Sequence, residues 1–323
     1  RRVGKIATDK LLAEVLPLVQ KKKYGAKPIG SKVGTWQTQA EKVEGSVIEG
    51  KNYYKAHAGA YISPYGIFWI KVKNVLSNGD LLVENFTGKV KTKIPKTEFT
   101  IEQDLVYPAV RGSDIQRWGA FPIVNVLITH PASQVPYSEE EMKNKWPRTY
   151  SYLINFRNIL LQRALYKYFH QKSGNPFYGQ RLFGDYTFSN YKVVWKRMTN
   201  DLISAVVMQH KTPYGYKTMI PLETVTFFAT NSESEAHYLC AIINSKPVRD
   251  FIKSFSSAGR GFGTPSVMEH VGIPKFDPQN PLHQKLSEIS KKCHQLKLEG
   301  KEKEIEQLEE ENDELVKKLF CIH

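Results

Sequence analysis

The sequence predicts an α+β fold: a mixed, β-rich body followed by a C-terminal helical hairpin. Three observations carry this reading. Apolar runs bounded by turn signals occupy residues 66–94 and 191–229, helical spacing lies between and after them, and no regular strand–helix–strand cycle joins the two. A heptad pattern closes the chain. The 323 residues suit two domains, or one large domain with an appendage. The expected divisions are a linker or tail of a preceding domain over 1–45, an α+β body over 46–280 and the hairpin over 281–323.

Leu11, Leu12, Val15, Leu16 and Val19 stand at helical spacing that Pro17 interrupts. Lys21, Lys22 and Lys23 open a Gly- and Lys-rich stretch that reads first as solvated surface. Residues 66–73 form a strand, Asn78-Gly79-Asp80 its turn and residues 81–86 the return, with a second return over 89–94. Ser138 precedes Glu139, Glu140 and Glu141, a capped and acidic first turn, and Trp146-Pro147 breaks that helix. Tyr152, Leu153, Phe156, Ile159, Leu160 and Leu165 keep helical spacing to about Phe169. Strands return over 191–196, 203–208 and 224–229. Ala236, Leu239, Cys240 and Ile243 share one face of a helix over 234–243; a second helix follows over 248–255, and 256–265 is loop. Leu282, Leu286, Ile289, Cys293 and Leu296, then Ile305, Leu308, Asn312, Leu315 and Leu319, mark a heptad seam on two helices interrupted at Gly300. An intermolecular coiled coil has the same pattern.

Lys and Arg number 46 against 32 Asp and Glu, a net charge of +14. Such an excess favours a polyanionic partner, nucleic acid before a membrane surface. The stretch 297–319 is acidic, so the basic charge belongs to the body. Cys240, Cys293 and Cys321 show no CxxC spacing, which reads as a reducing cytoplasm rather than a disulfide framework. No zinc motif occurs, and the longest apolar run, 121–128, is far short of the roughly 20 residues that span a bilayer. No membrane association is expected. The chain begins Arg1-Arg2 without Met, which reads as a fragment of a longer protein.

No catalytic motif stands out: GxSxG, a Walker A loop and a GxGxxG after a strand are all missing. The glycine-rich stretch 259–263 reads as a surface loop. What does stand out is cations interleaved with aromatics and amides. Arg111, Gln116, Arg117 and Trp118 fall in one short segment, Lys196 and Arg197 end a strand, and Arg260 lies in the glycine loop. Arginine can fork onto guanine or phosphate, glutamine can pair with adenine, and lysine supplies a point charge. An internal ion pair from Arg111 or Arg117 to Asp114 carries about equal weight.

At these residues a resemblance emerges. Residues 54–61 (YKAHAGAY) with 66–70 (GIFWI), 105–118 (LVYPAVRGSDIQRW), 191–196 (YKVVWK), 235–245 (EAHYLCAIINS), 271–276 (VGIPKF) and 312–320 resemble, in order, the target-recognition region of adenine-specific DNA methyltransferases of the type II restriction–modification group. That resemblance implies double-stranded DNA as partner. It also implies S-adenosylmethionine as cofactor of a parent enzyme, whose methyltransferase domain lies in the same chain or a partner subunit. The family's glycine-rich cofactor loop and Asn/Asp-Pro-Pro-Tyr/Phe tetrapeptide are absent, so no cofactor and no methyl transfer are expected of this chain. Lys55, Lys196 and Arg197 are the expected phosphate contacts. Arg111, Gln116, Arg117 and Arg260 are expected near bases, and His57, Tyr61 and Trp118 complete the DNA-binding set. Two alternatives stay open. A metal-dependent nuclease or RNA-acting enzyme would draw on Asp185, Asp201 and Glu223, although the two aspartates read first as cap or turn residues. A non-catalytic assembly module would use the heptad helices.

Overall fold

The computed structural model describes residues 25–29, 36–39, 48–88, 94–256 and 261–322. The chain forms two compact units, Arg1–Gly45 and Ser46–His323. In the first, β1 (Gly25–Pro28) pairs antiparallel with β2 (Trp36–Gln39), within the stretch read as a linker. The segments around Leu11–Val19 and Lys21–Lys23, most of the return over 89–94, and Arg260 lie outside the described residues.

The second unit opens with β3 (His57–Ala58), α1 (Tyr65–Phe68), β4 (Trp69–Val75), β5 (Leu81–Asn85), β6 (Glu98–Ile101), β7 (Val106–Val110), β8 (Ile115–Gln116), β9 (Gly119–Ala120) and β10 (Val124–Leu127). Four short helices follow: α2 (Glu139–Lys145), α3 (Pro147–Ile154), α4 (Arg157–Gln162) and α5 (Ala164–Phe169). Next come β11 (Tyr191–Lys196), β12 (Ser204–Val207), β13 (Gln209–Thr212), β14 (Gly215–Thr218), β15 (Ile220–Pro221) and β16 (Val225–Thr230). The chain closes with α6 (Glu233–Asn244), α7 (Lys246–Phe255), α8 (Pro265–Met268), α9 (Pro281–Glu299) and α10 (Glu302–Leu319). The α+β expectation holds.

Two sheets organise this unit. One has the order β15-β7-β10-β4-β5-β6 and is antiparallel except for the β15–β7 pair. The other runs β12-β11-β16-β3, antiparallel throughout. The second is buried on both faces. Val193 and Trp195 of β11 point into a core shared with α6, α7, α9 and α10, whereas Val194 points into a smaller core with Val110, Ile115 and Phe227. Burial on both faces explains why these strands read as nearly continuous apolar runs.

Local chemistry sets the element ends. Ser138 accepts the Glu141 N–H at 3.1 Å, Ser232 caps α6, and Ser245 caps α7 with Pro247 in its first turn. Gly79 adopts a positive φ of 86° in the β4–β5 turn, as Asn78-Gly79-Asp80 implied. One expectation is corrected. The strand expected over 66–73 begins only at Trp69, because Ile67 and Phe68 donate their N–H groups to the Pro64 carbonyl in a helical turn that buries both side chains. The terminal hairpin forms as expected, closed at Gly300 with φ 72°. Its seam packs into the body: Leu286, Ile289, Cys293 and Leu296 join the core of α6, and Asn312 donates to the Ala241 carbonyl at 2.9 Å. Among the described residues no helix is long and apolar enough to cross a membrane.

Candidate nucleic-acid interface

Several of the singled-out residues converge on a cavity of about 480 Å³, lined by Tyr65, Trp69, Arg111, Lys196, Met198 and Glu223 together with Gly112, Ser113, Leu222 and Thr224. Four segments build it. Tyr65 and Trp69 come from α1 and the start of β4; the end of β11 and the residues after it deliver Lys196 and Met198, with Arg197 between them; the turn before β16 delivers Glu223; and the turn after β7 delivers Arg111. Close backbone contacts hold these segments together. Gly263 donates its N–H to the Arg197 carbonyl at 3.1 Å and accepts the Trp195 indole N–H at 3.0 Å. A Cβ at Gly263 would lie 2.0 Å from the Lys196 carbonyl oxygen, and one at Gly59 would lie 2.1 Å from that of Leu222, so neither approach tolerates a side chain.

The cavity is aromatic and mostly cationic. Tyr65 and Trp69 stack at 4.2 Å, and the Arg111 guanidinium lies 5.9 Å from the Trp69 ring centroid. Arg111 is itself held by the buried Asp114, with Nη2 at 2.7 Å from Oδ1 and Nε at 3.0 Å from Oδ2. That hydrogen-bonded carboxylate raises the guanidinium pKa further. Of the two arginines considered for Asp114, Arg111 is therefore the one that pairs with it. Arg197 donates to the Glu223 carbonyl at 3.5 Å. Glu223 accepts the Tyr65 hydroxyl through Oε1, and burial raises its carboxyl pKa. Its Oε2 and the Trp69 Nε1 are buried without hydrogen-bond partners.

The other expected residues divide. Lys55 and Gln116 are exposed. Tyr61 is 40% exposed and exchanges backbone hydrogen bonds with Arg181, whose guanidinium lies 3.4 Å from the Phe169 ring centroid. His57 stacks on Tyr186 at 3.9 Å, and burial, then nearby Lys55, lowers its pKa. Arg117 and Trp118 are both engaged by α10. Arg117 donates to Glu309 and to the Asn244 carbonyl, with Asp201 at 3.7 Å. Trp118 is 1% exposed and donates its indole N–H to Glu309 at 2.6 Å. Both fasten the β8–β9 turn to α10, and the Trp118 indole is closed to a base. The carboxylates of the nuclease alternative are not brought together: among the described residues no three His, Cys, Asp or Glu side chains form a metal-binding group. Asp185 accepts a local backbone N–H, and Asp201 is ringed by Arg117, Arg249 and Lys253.

Trp69 falls within the strand expected over 66–73 and Tyr65 lies just before it, so neither stands out in the sequence as a site residue. The contact of Arg181 with Phe169 has no signal in the sequence, where the stretch up to about Phe169 shows only helical spacing. Tyr168 is 77% exposed.

No family model and no curated protein matches the chain. Among solved structures it is similar to the Type IIL restriction-modification enzyme MmeI in complex with DNA. The TM-score is 0.52 at 10% identity, over 85% of this chain and 34% of that one. The chain thus spans about a third of the enzyme it resembles in fold.

Proposed function

We propose that the chain recognises double-stranded DNA as the target-recognition part of a restriction–modification enzyme, with S-adenosylmethionine-dependent adenine methylation carried by a domain outside it. The observation that carries this reading is the gathering of Arg111, Lys196 and Arg197 around an aromatic cavity, in a fold similar to that of a restriction-modification enzyme solved on DNA. Lys196, Arg197 and the exposed Lys55 are assigned to phosphates, where charge neutralisation releases counterions. Arg111, whose guanidinium is oriented by Asp114, and the exposed Gln116 are assigned to base edges. The chain's own residues bind and position; chemistry at the target base falls to the catalytic domain.

Mobility-shift titrations over a salt series test this. Duplex affinity should fall steeply with salt, and Lys196→Ala should weaken binding to all sequences and lower the log–log slope by about one. A flat salt response in the unsubstituted chain overturns the assignment.

A further inference from the structure

The Glu223 cavity is poorly matched to a backbone contact. A surface that only tracks phosphates has no use for a carboxylate, because Glu223 repels the anion that Lys196 attracts. Nor is the cavity suited to an apolar guest, which would leave Glu223 Oε2 and Trp69 Nε1 unpartnered. Its lining combines a stacked aromatic pair, one acceptor, one donor and cations, within the size range of sites for small organic groups. A purine or pyrimidine supplies each complement: a π-face for the rings, an exocyclic amine for the carboxylate, a ring nitrogen for the indole N–H and a phosphate for the cations.

We propose that this cavity receives a single unstacked nucleobase bearing an exocyclic amine, adenine, cytosine or guanine, from the DNA held at its cationic rim. The amine donates to Glu223, and Trp69 donates to the ring nitrogen beside it. Thymine lacks the amine and leaves the carboxylate unpaired. This deepens the DNA-recognition reading and rests on it for the source of the base.

Anisotropy titrations of the full chain test it with three labelled duplexes of one sequence: fully paired, with one unpaired adenine, and with one unpaired thymine. The unpaired adenine should bind about tenfold more tightly than the unpaired thymine, the discrimination expected of a base-edge contact. Met198→Trp fills the mouth at a side chain that is 53% exposed, and Glu223→Leu removes the acceptor. Each should bring the adenine-to-thymine ratio to about one. Equal affinities in the unsubstituted chain, or a preference that survives both variants, overturn the proposal. Salt-sensitive binding of the paired duplex without an adenine preference sinks the cavity assignment and leaves the DNA reading standing. An adenine preference without paired-duplex binding does the reverse.

Discussion

Two histidines, the buried His130 and the half-buried His294, act as joints in the fold. His130 Nε2 accepts the Gln180 N–H at 2.8 Å, while His294 Nε2 accepts the Val206 N–H at 2.8 Å and its Nδ1 donates to the Ser290 carbonyl at 2.7 Å. Accepting through Nε2 requires neutral rings. Burial lowers the His130 pKa to about 3 and that of His294 to about 4. The unfolded chain protonates both near pH 6.5, so between that pH and about 4 it binds more protons than the native state. Stability should therefore fall as pH drops through this window, by up to about 1.4 kcal/mol per pH unit for each ring. Urea titrations from pH 7 to 4 measure it, and replacing His294 with Gln should flatten part of the slope.

At the scale of elements, the strands and long helices were legible because each has one dominant periodicity and a clear stop. The β4–β5 turn announced itself through Asn78-Gly79-Asp80, and the α2 cap through Ser138 and the three glutamates after it. The site was legible only in part. Arg111, Lys196 and Arg197 stand out by charge, but the aromatic pair does not, because Trp69 belongs to an apolar run that a strand explains equally well and Tyr65 lies just before that run. Arg117 and Trp118 looked like readers of DNA because their partner Glu309 lies about 190 residues away, as the 3.3 Å and 2.6 Å contacts across that separation show. Nothing local signals such a pairing. The loop–strand junction at Gly263 is a further case, since only the assembled sheet presses it against the Lys196 carbonyl. Gly263→Ala should cost on the order of 2 kcal/mol and displace the end of β11. Thermal melts and duplex affinity would both register it, with a larger loss in affinity than an exposed-site alanine gives.

Over the whole molecule, the terminal hairpin belongs to the principal core. Leu286, Ile289, Cys293 and Leu296 pack with α6, and Val316 and Phe320 are buried in the same cluster. Each such side chain contributes about 1.5–3 kcal/mol when buried. Removing residues 281–323 should therefore uncover the α6 face and yield aggregated or molten material instead of a folded, smaller monomer. Size-exclusion chromatography and near-ultraviolet circular dichroism distinguish the two outcomes. A well-folded truncated chain would restore the view of these helices as a detachable assembly module. The acidic helix also neutralises part of the body's charge through Arg117, paired with Glu309. The cations left for a polyanion are those away from this seam.

Glu309 has one more effect. A single carboxylate near the far end of the polypeptide grips both Arg117 and Trp118 at the tip of the β8–β9 turn, and Gln116 is the strand residue immediately before them. The aim of an amide assigned to base reading is thus mechanically wired to the last helix. A chimaera that exchanged α10 alone would be expected to retune preference at the position Gln116 meets, although no residue of α10 is assigned to DNA.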